Sequence, residues 1–264
     1  MYSIEHKQYL RKIRIYNIGV KLFQVLILVL FLILWQYLSS TGIINSFIFS
    51  SPSKVLETLV SLYQHDNLLH HIWITVYETL VGFGLGCIIG LIIASLLWTN
   101  RFLYKVFDPY LTILNSLPKI ALGPIIIIWF GANNSSIIVM ALLISVIITI
   151  FNVYTAFINT DKNKISLMKS LKASKWQIYY KLILPSNINN IMSAVKINIS
   201  MSLIGVIMGE FLTSKAGVGH LIMYGSQVFN LNLVITGIFI LCIVASIMYY
   251  VVVFIEKKIK GYLS

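Results

Sequence analysis

Lys119, in the run SLPKIALGPIIIIWFG, and Glu210, in LIGVIMGEFL, are charges set deep among apolar residues. If these runs cross a bilayer, a charge near the middle costs at least about 2.5 kcal/mol and marks a substrate pathway or an ion pair. Lys119 lies about twelve residues from either end of its run, roughly 18 Å at helical rise, while a lysine stem reaches about 6 Å. Snorkelling to a surface is therefore the poorer explanation. Glu210 is the acid that could answer it, and with Pro118 these residues are assigned to a translocation path. Glu210 falls near the outer end of its run, roughly 12 Å in height from Lys119 if both helices are regular, so a direct pair is not expected.

Other chemistries find no support. His65, His70 and His71 suggest a metal, but neighbouring positions on a helix diverge by about 100°, so one ion is not held by the adjacent pair. No G-x-x-x-x-G-K-[ST] loop occurs to cradle a nucleotide, and no Ser/His/Asp or Cys/His set gathers in a soluble segment. Cys87 and Cys242 both fall inside apolar runs, which argues against a disulfide framework or a thiolate site. The chain is expected to hold no cofactor and to be no enzyme by itself.

The elements that must position Lys119 and Glu210 follow from composition. The chain has 264 residues, is 58% hydrophobic with only 11% charged, and has a mean hydropathy of +0.88, too apolar for a soluble domain. Six spans are predicted near 20–39, 72–98, 107–130, 136–158, 191–213 and 232–255, giving an all-α, polytopic fold. The formal charge of +12 is dispersed between the spans, which excludes a nucleic-acid-binding face. Lys7, Arg11, Lys12, Arg14, Lys21, Arg101, Lys105, the lysines from Lys162 to Lys181, and Lys257, Lys258 and Lys260 share one side, with Lys54 and Lys215 on the other. The positive-inside rule makes the richer side cytoplasmic, and both termini with it. A cleaved signal ending near SSTG is the competing reading of the first run, but that run is long for a signal and five spans follow. Residues 40–71 form the longest outward segment, in which SPSKVLETLVSLYQHD reads as an N-capped amphipathic helix.

Two spans carry patterns of their own. In GFGLGCIIG, Gly82, Gly86 and Gly90 recur every four residues on one helical face, where a neighbouring helix approaches closely. In the third span, Pro109, Pro118, Gly123 and Pro124 interrupt the helix, which membrane depth tolerates only against protein or water. That span is expected to face the interior.

Between the fourth and fifth spans lies KSLKASKWQIYYKLILPS, basic and helix-patterned. Read as one helix over 166–183 stopped by Pro185, it gathers Leu167, Leu171, Ile178 and Leu182 in one stripe, and Trp176, Tyr179, Tyr180 and Ile183 in another. A helix on lipid needs one such face; a helix wedged between two proteins uses both. One stripe is expected to rest on the chain's own spans and the other to enter a groove of a soluble partner.

TVYETLVGFGLGCIIG, LPKIALGPIIIIWFG, LKASKWQIYYKLILP and AGVGHLIM together resemble the permease subunit of a type I ABC importer, in the branch that handles sulfonates, nitrate, taurine and thiamine precursors. The resemblance runs from Thr75 to about residue 255. It implies a permease core over 72–256 with a coupling loop at about 159–190, preceded by a cytoplasmic segment 1–21 and a first span with the external segment over 22–71, and followed by a tail 257–264. Leu171, Ala173, Ser174, Trp176, Tyr179, Tyr180, Leu184 and Pro185 would then dock an ATPase. Lys196 and Glu210 stand where that branch carries a base and an acid. Ser166, Met168 and Lys172 depart from its Glu, Ala and Gly, Glu78 stands where a base is common, and a lysine at 172 is expected to resist a left-handed turn. The resemblance implies two ATPase subunits holding ATP and magnesium, a second copy of this chain as homodimer, an external substrate-binding protein and a location in the cell membrane. An ion-gradient-driven secondary transporter is the alternative.

Overall fold

The computed structural model describes residues 4–263, with side-chain surroundings for residue 9 and residues 11–258; the side chains of Lys7 and Lys260, counted above, lie outside the described residues. Among the described residues every regular element is helical. α1 (Ile4–Ser40) has 37 residues, about 55 Å at helical rise against roughly 30 Å of hydrocarbon. The chain then turns through α2 (Ser46–Phe49), opened by the Asn45 side chain, into α3 (Pro52–His65). Ser51 caps α3 with Pro52 in its first turn, and α3 buries Val55 and Leu62 while leaving Leu56, Val60 and Tyr63 exposed.

α4 (Leu68–Thr99) and α5 (Arg101–Ser116) meet at Asn100, whose side chain accepts from Phe102 N and Leu103 N. Pro109 is carried inside α5, so of the four expected breakers it is not one. The break comes at Leu117, held extended at ψ 138 as a residue preceding proline must be. A 3-10 turn (Lys119–Leu122) and α6 (Gly123–Phe130) follow, bent by 91° from α5. The third span is therefore two helices, not one over 107–130, and depth measured along a straight axis does not apply to Lys119. Among the described residues five helices, or six spans if this bent pair counts as one, are long and apolar enough to cross a membrane.

α7 (Asn134–Ile158) is the central helix, flanked by α4 and by α11 (Ile188–Thr213), after which come α12 (Val218–Gln227) and α13 (Leu231–Leu263). The approach is close because the facing residues are small. Gly82, Gly86 and Gly90 of α4 lie against Ala141, Ser145 and Thr149 of α7, and from the other side Gly205 and Gly209 of α11 lie against Ala141 and Ile137. Asn198 of α11 ties the trio at mid-length, its Nδ2 donating to Thr149 Oγ1 at 2.6 Å and Ser145 Oγ at 2.8 Å on α7 and to Cys87 Sγ at 3.1 Å on α4.

Between α7 and α11 the basic segment forms α8 (Lys162–Ser170), the single turn α9 (Lys175–Ile178), a π-helical turn (Tyr179–Ile183) and α10 (Leu184–Ser186). The expected continuous helix over 166–183 is thus corrected to a broken one. α8 ends in paired bonds, Ala173 N to Met168 O and Lys172 N to Lys169 O, with Lys172 at φ 56. This is the Schellman geometry, and it overrules the expectation that lysine would avoid a left-handed turn. The two satisfied carbonyls outweigh a strain of about 1–2 kcal/mol for a residue with a Cβ. Lys172→Gly is accordingly expected to raise the melting temperature, by about 1 kcal/mol of stability, in a thermal unfolding measurement in detergent.

Candidate functional site

Pro185 does not end the connector, as the sequence suggested. It enters the first turn of α10, where its missing N–H costs little, and the chain widens before it so that Leu184 N bonds to Tyr179 O. The break at Lys172 and the wide turn re-sort the two expected stripes. Ile178, Tyr179 and Ile183 are buried against the ends of α4, α7 and α11, with Leu182 and Leu184 partly buried beside them. Tyr179, expected to meet a partner, is instead 6% exposed. Its hydroxyl is 2.6 Å from Ser95 Oγ, and its ring lies against Trp98 and Phe157.

What remains outside is a different set. Trp176 and Tyr180 are 54% and 60% exposed and stack at 5.9 Å, while Leu171 is 70% exposed with Leu167 open beside it, so the stripe of Leu167, Leu171, Ile178 and Leu182 is divided between the surface and the core. Ser174 and Gln177 form a reciprocal capping box that fixes the turn carrying Trp176. Ala173 is half-buried and packs on the core, and Pro185 is exposed. Asn187 secures the far end of this elbow, its Nδ2 donating to Thr160 Oγ1 at 2.7 Å and to Ile183 O at 2.9 Å. Sequence reasoning missed Asn187 and Thr160; the only signal was an asparagine two residues after a proline.

Lys119 is half-buried at the break beside exposed Pro118, and its Nζ donates to Asn115 O at 2.9 Å. It therefore neutralises the carbonyl end of α5, a favourable place for a cation. Glu210 was assigned to a translocation path, but it is 1% exposed and enclosed by the chain's own helices. It accepts from Thr75 Oγ1 at 2.6 Å and from Gly219 N. Val218 N donates to Thr75 Oγ1, and Gly217 N donates to His71 Nδ1, so α4, α11 and the turn before α12 close on one carboxyl group. This links AGVG to the acid: Gly217 sits at φ 114, and a Cβ on Gly217 or Gly219 would fall inside the Glu210 side chain. Glu78 is buried beside the same carboxyl. Lys196 pairs with Glu256 at 2.9 Å.

Because Lys119 and Glu210 each have other partners, Lys119→Glu combined with Glu210→Lys is expected to leave uptake as low as the worse single variant. Recovery to the wild-type rate would show that the two charges meet.

Long apolar helices around a small-residue core, a broken span and a clamped elbow with an exposed aromatic pair define a multi-pass membrane protein of the transport class. The chain belongs to the family of binding-protein-dependent transport system inner membrane components, matching it over residues 86–261, and is a permease of the type I ABC importer class. A probable ABC transporter permease protein of Haemophilus influenzae is 30% identical, covering 85% of this chain and 91% of its own. The putative aliphatic sulfonates transport permease protein SsuC of Bacillus subtilis is 26% identical over 86% and 82%. The formylaminopyrimidine transport permease protein ThiX of Halalkalibacterium halodurans is 24% identical over 74% and 77%. Among solved structures, the inward-facing MetNI methionine ABC transporter is similar in fold, with a TM-score of 0.63 at 22% identity, over 75% of this chain and 96% of that one.

Proposed function

We propose that this chain supplies half of the substrate path of an ATP-driven importer, that its elbow is gripped by a separate ATPase subunit holding ATP and magnesium, and that two copies with two ATPases receive substrate from an external binding protein. The observation that carries this reading is the exposed Trp176–Tyr180 pair on a turn whose other face is locked into three spans. An aromatic anchor on a rigid base is what a partner's pocket grips, and motion of that partner is passed to α4, α7 and α11. The bent third span supports the second copy: Leu117, Ile120, Ile128 and Trp129 around the break are exposed on one chain, and a broken helix at membrane depth needs protein or water beside it. The distribution of Lys and Arg supports cytoplasmic termini and six spans with the bent pair as one.

The substrate we infer is a small organic anion, such as an alkanesulfonate, taurine or nitrate, or else a pyrimidine precursor of thiamine. The names of the sulfonate and formylaminopyrimidine permeases support this class, and Lys119 favours the anion. Reconstitution with the ATPase and binding protein is the test: uptake is expected to require ATP hydrolysis. Full-rate uptake by the purified chain alone, driven by an ion gradient without nucleotide, would establish the secondary transporter instead.

A further inference from the structure

α4 and α13 both pack on α11 and leave a cleft of about 350 Å³ between them. Residues between Ile72 and Phe83 of α4 form one wall, residues between Val244 and Ile255 of α13 the other, and Ile199 of α11 the floor. Every side chain that lines it is apolar, and Ile247 and Val251 stand exposed on its rim. Each wall spans about three helical turns, roughly 16 Å. Spread over that length, the volume leaves a slot roughly 5 Å across, against about 10–12 Å for a helix with its side chains. A helix of this or another chain therefore does not enter it. A single unbranched hydrocarbon chain does, since its width is set by carbon contacts of about 4 Å, and it restores the dispersion contacts that an empty slot would forfeit.

What separates this cleft from the rest of the apolar surface is the charge in line with it. Ile247, Val251, Ile255 and Lys258 follow one another at spacings of four, four and three, so the lysine stands on the lining face of α13, one turn past the end of the slot. Lys258 is exposed, with its Nζ 5.7 Å from the centre of the Phe254 ring, and Lys257 is exposed beside it. Glu256, the acid at this end, is buried and paired with Lys196 at 2.9 Å, so its charge is answered within the chain. An apolar slot that opens onto two exposed cations matches an amphiphile with one thin hydrocarbon tail and an anionic head. Basic residues just beyond a membrane helix select such headgroups.

We propose that the cleft holds one acyl chain of an anionic phospholipid from the leaflet at the C-terminal end of α13, with the headgroup phosphate against Lys257 and Lys258. The seated chain ties α13 to α4, two helices that share α11. This goes beyond the transport reading and requires only that α4 and α13 cross the bilayer.

The test is native mass spectrometry of the delipidated full chain in detergent, titrated separately with dioleoyl phosphatidylglycerol and dioleoyl phosphatidylcholine. The first phosphatidylglycerol is expected to bind at least about tenfold more tightly than the first phosphatidylcholine, each lysine contributing severalfold. Lys257→Gln combined with Lys258→Gln should bring the two lipids within about twofold of each other, while Arg11→Gln combined with Arg14→Gln on α1 should leave the preference intact. Val251→Trp keeps both lysines and places an indole in the slot, and is expected to weaken the first lipid of either headgroup by about tenfold. Should that variant fail to fold, the lysine pair decides, because both side chains are exposed and outside the core. The proposal is overturned by equal binding of the two lipids to the wild type, by a preference that survives loss of both lysines, or by binding that a well-folded Val251→Trp leaves unchanged. A quantitative disulfide between two Val251→Cys copies in a Cys242→Ser background would also overturn it, and would make the cleft a contact between chains.

Discussion

Replacing Trp176 by Asp is expected to free the chain of its ATPase while leaving the fold intact. The indole is 54% exposed, its ring contacts are with Tyr179 and Tyr180, and it is not among the buried residues of the core, so little of the core depends on it. Interface aromatics of this kind cost about 2 kcal/mol or more when removed, roughly thirtyfold in affinity, and a buried carboxylate in their place costs more. Copurification of the ATPase from solubilised membranes should therefore fail, with a melting temperature close to that of the wild type. Tyr179→Ala provides the contrast. That ring is buried and its hydroxyl meets Ser95, so its loss is expected to cost about 3–5 kcal/mol of stability, as for other large aromatics in cores. Both variants lose the partner, and only Tyr179→Ala melts early. An ATPase retained by Trp176→Asp would remove the elbow from the coupling scheme.

Gly86→Leu is expected to separate α4 from α7. A Cβ at Gly86 already falls on the Ser145 side chain, with the backbone N of Val146 at 3.3 Å behind it. Overpacking of a fitted contact costs about 1–3 kcal/mol, and in lipid there is no hydrophobic drive to hold a widened pair together. Ser145 also receives the Asn198 amide at 2.8 Å, so the tie to α11 is strained by the same change. The expected result is loss of most folded protein on thermal challenge in detergent. Gly84→Ala is the control. Its Cβ would meet nothing within 4 Å, so stability should hold or rise by about 0.5–1 kcal/mol as helix propensity improves. Equal behaviour of the Gly84 and Gly86 variants would mean that close approach of the helices is not what the four-residue glycine spacing provides.

The long apolar helices were legible because a run of about twenty apolar residues has few fates other than crossing a bilayer. So was the glycine face of α4, since a spacing of four lines up on a helix whatever surrounds it. The type of the segment after α7 was also legible, as basic, aromatic and helical, though not that its helix is broken. Its inside and outside were not. Phase read from spacing assumes one unbroken helix, and the left-handed Lys172 followed by a π-helical turn shifts every later residue by a fraction of a turn. That turned Tyr179, expected to meet a partner, onto the buried face.

The deeper limit is that a sequence names charges but not their partners. Lys119 and Glu210 looked like two members of one path; the fold sends the first to a helix end within four residues, and the second to Thr75, 135 residues away. In the same way, asparagines on α7 and α11 look unremarkable in the chain, and only the packing of those helices brings them together around one groove. Composition and periodicity determine which segments leave water, because transfer free energy is a property of each residue. Which polar groups then meet is decided by tertiary packing, because hydrogen bonds act over about 3 Å and that distance exists only in the folded molecule.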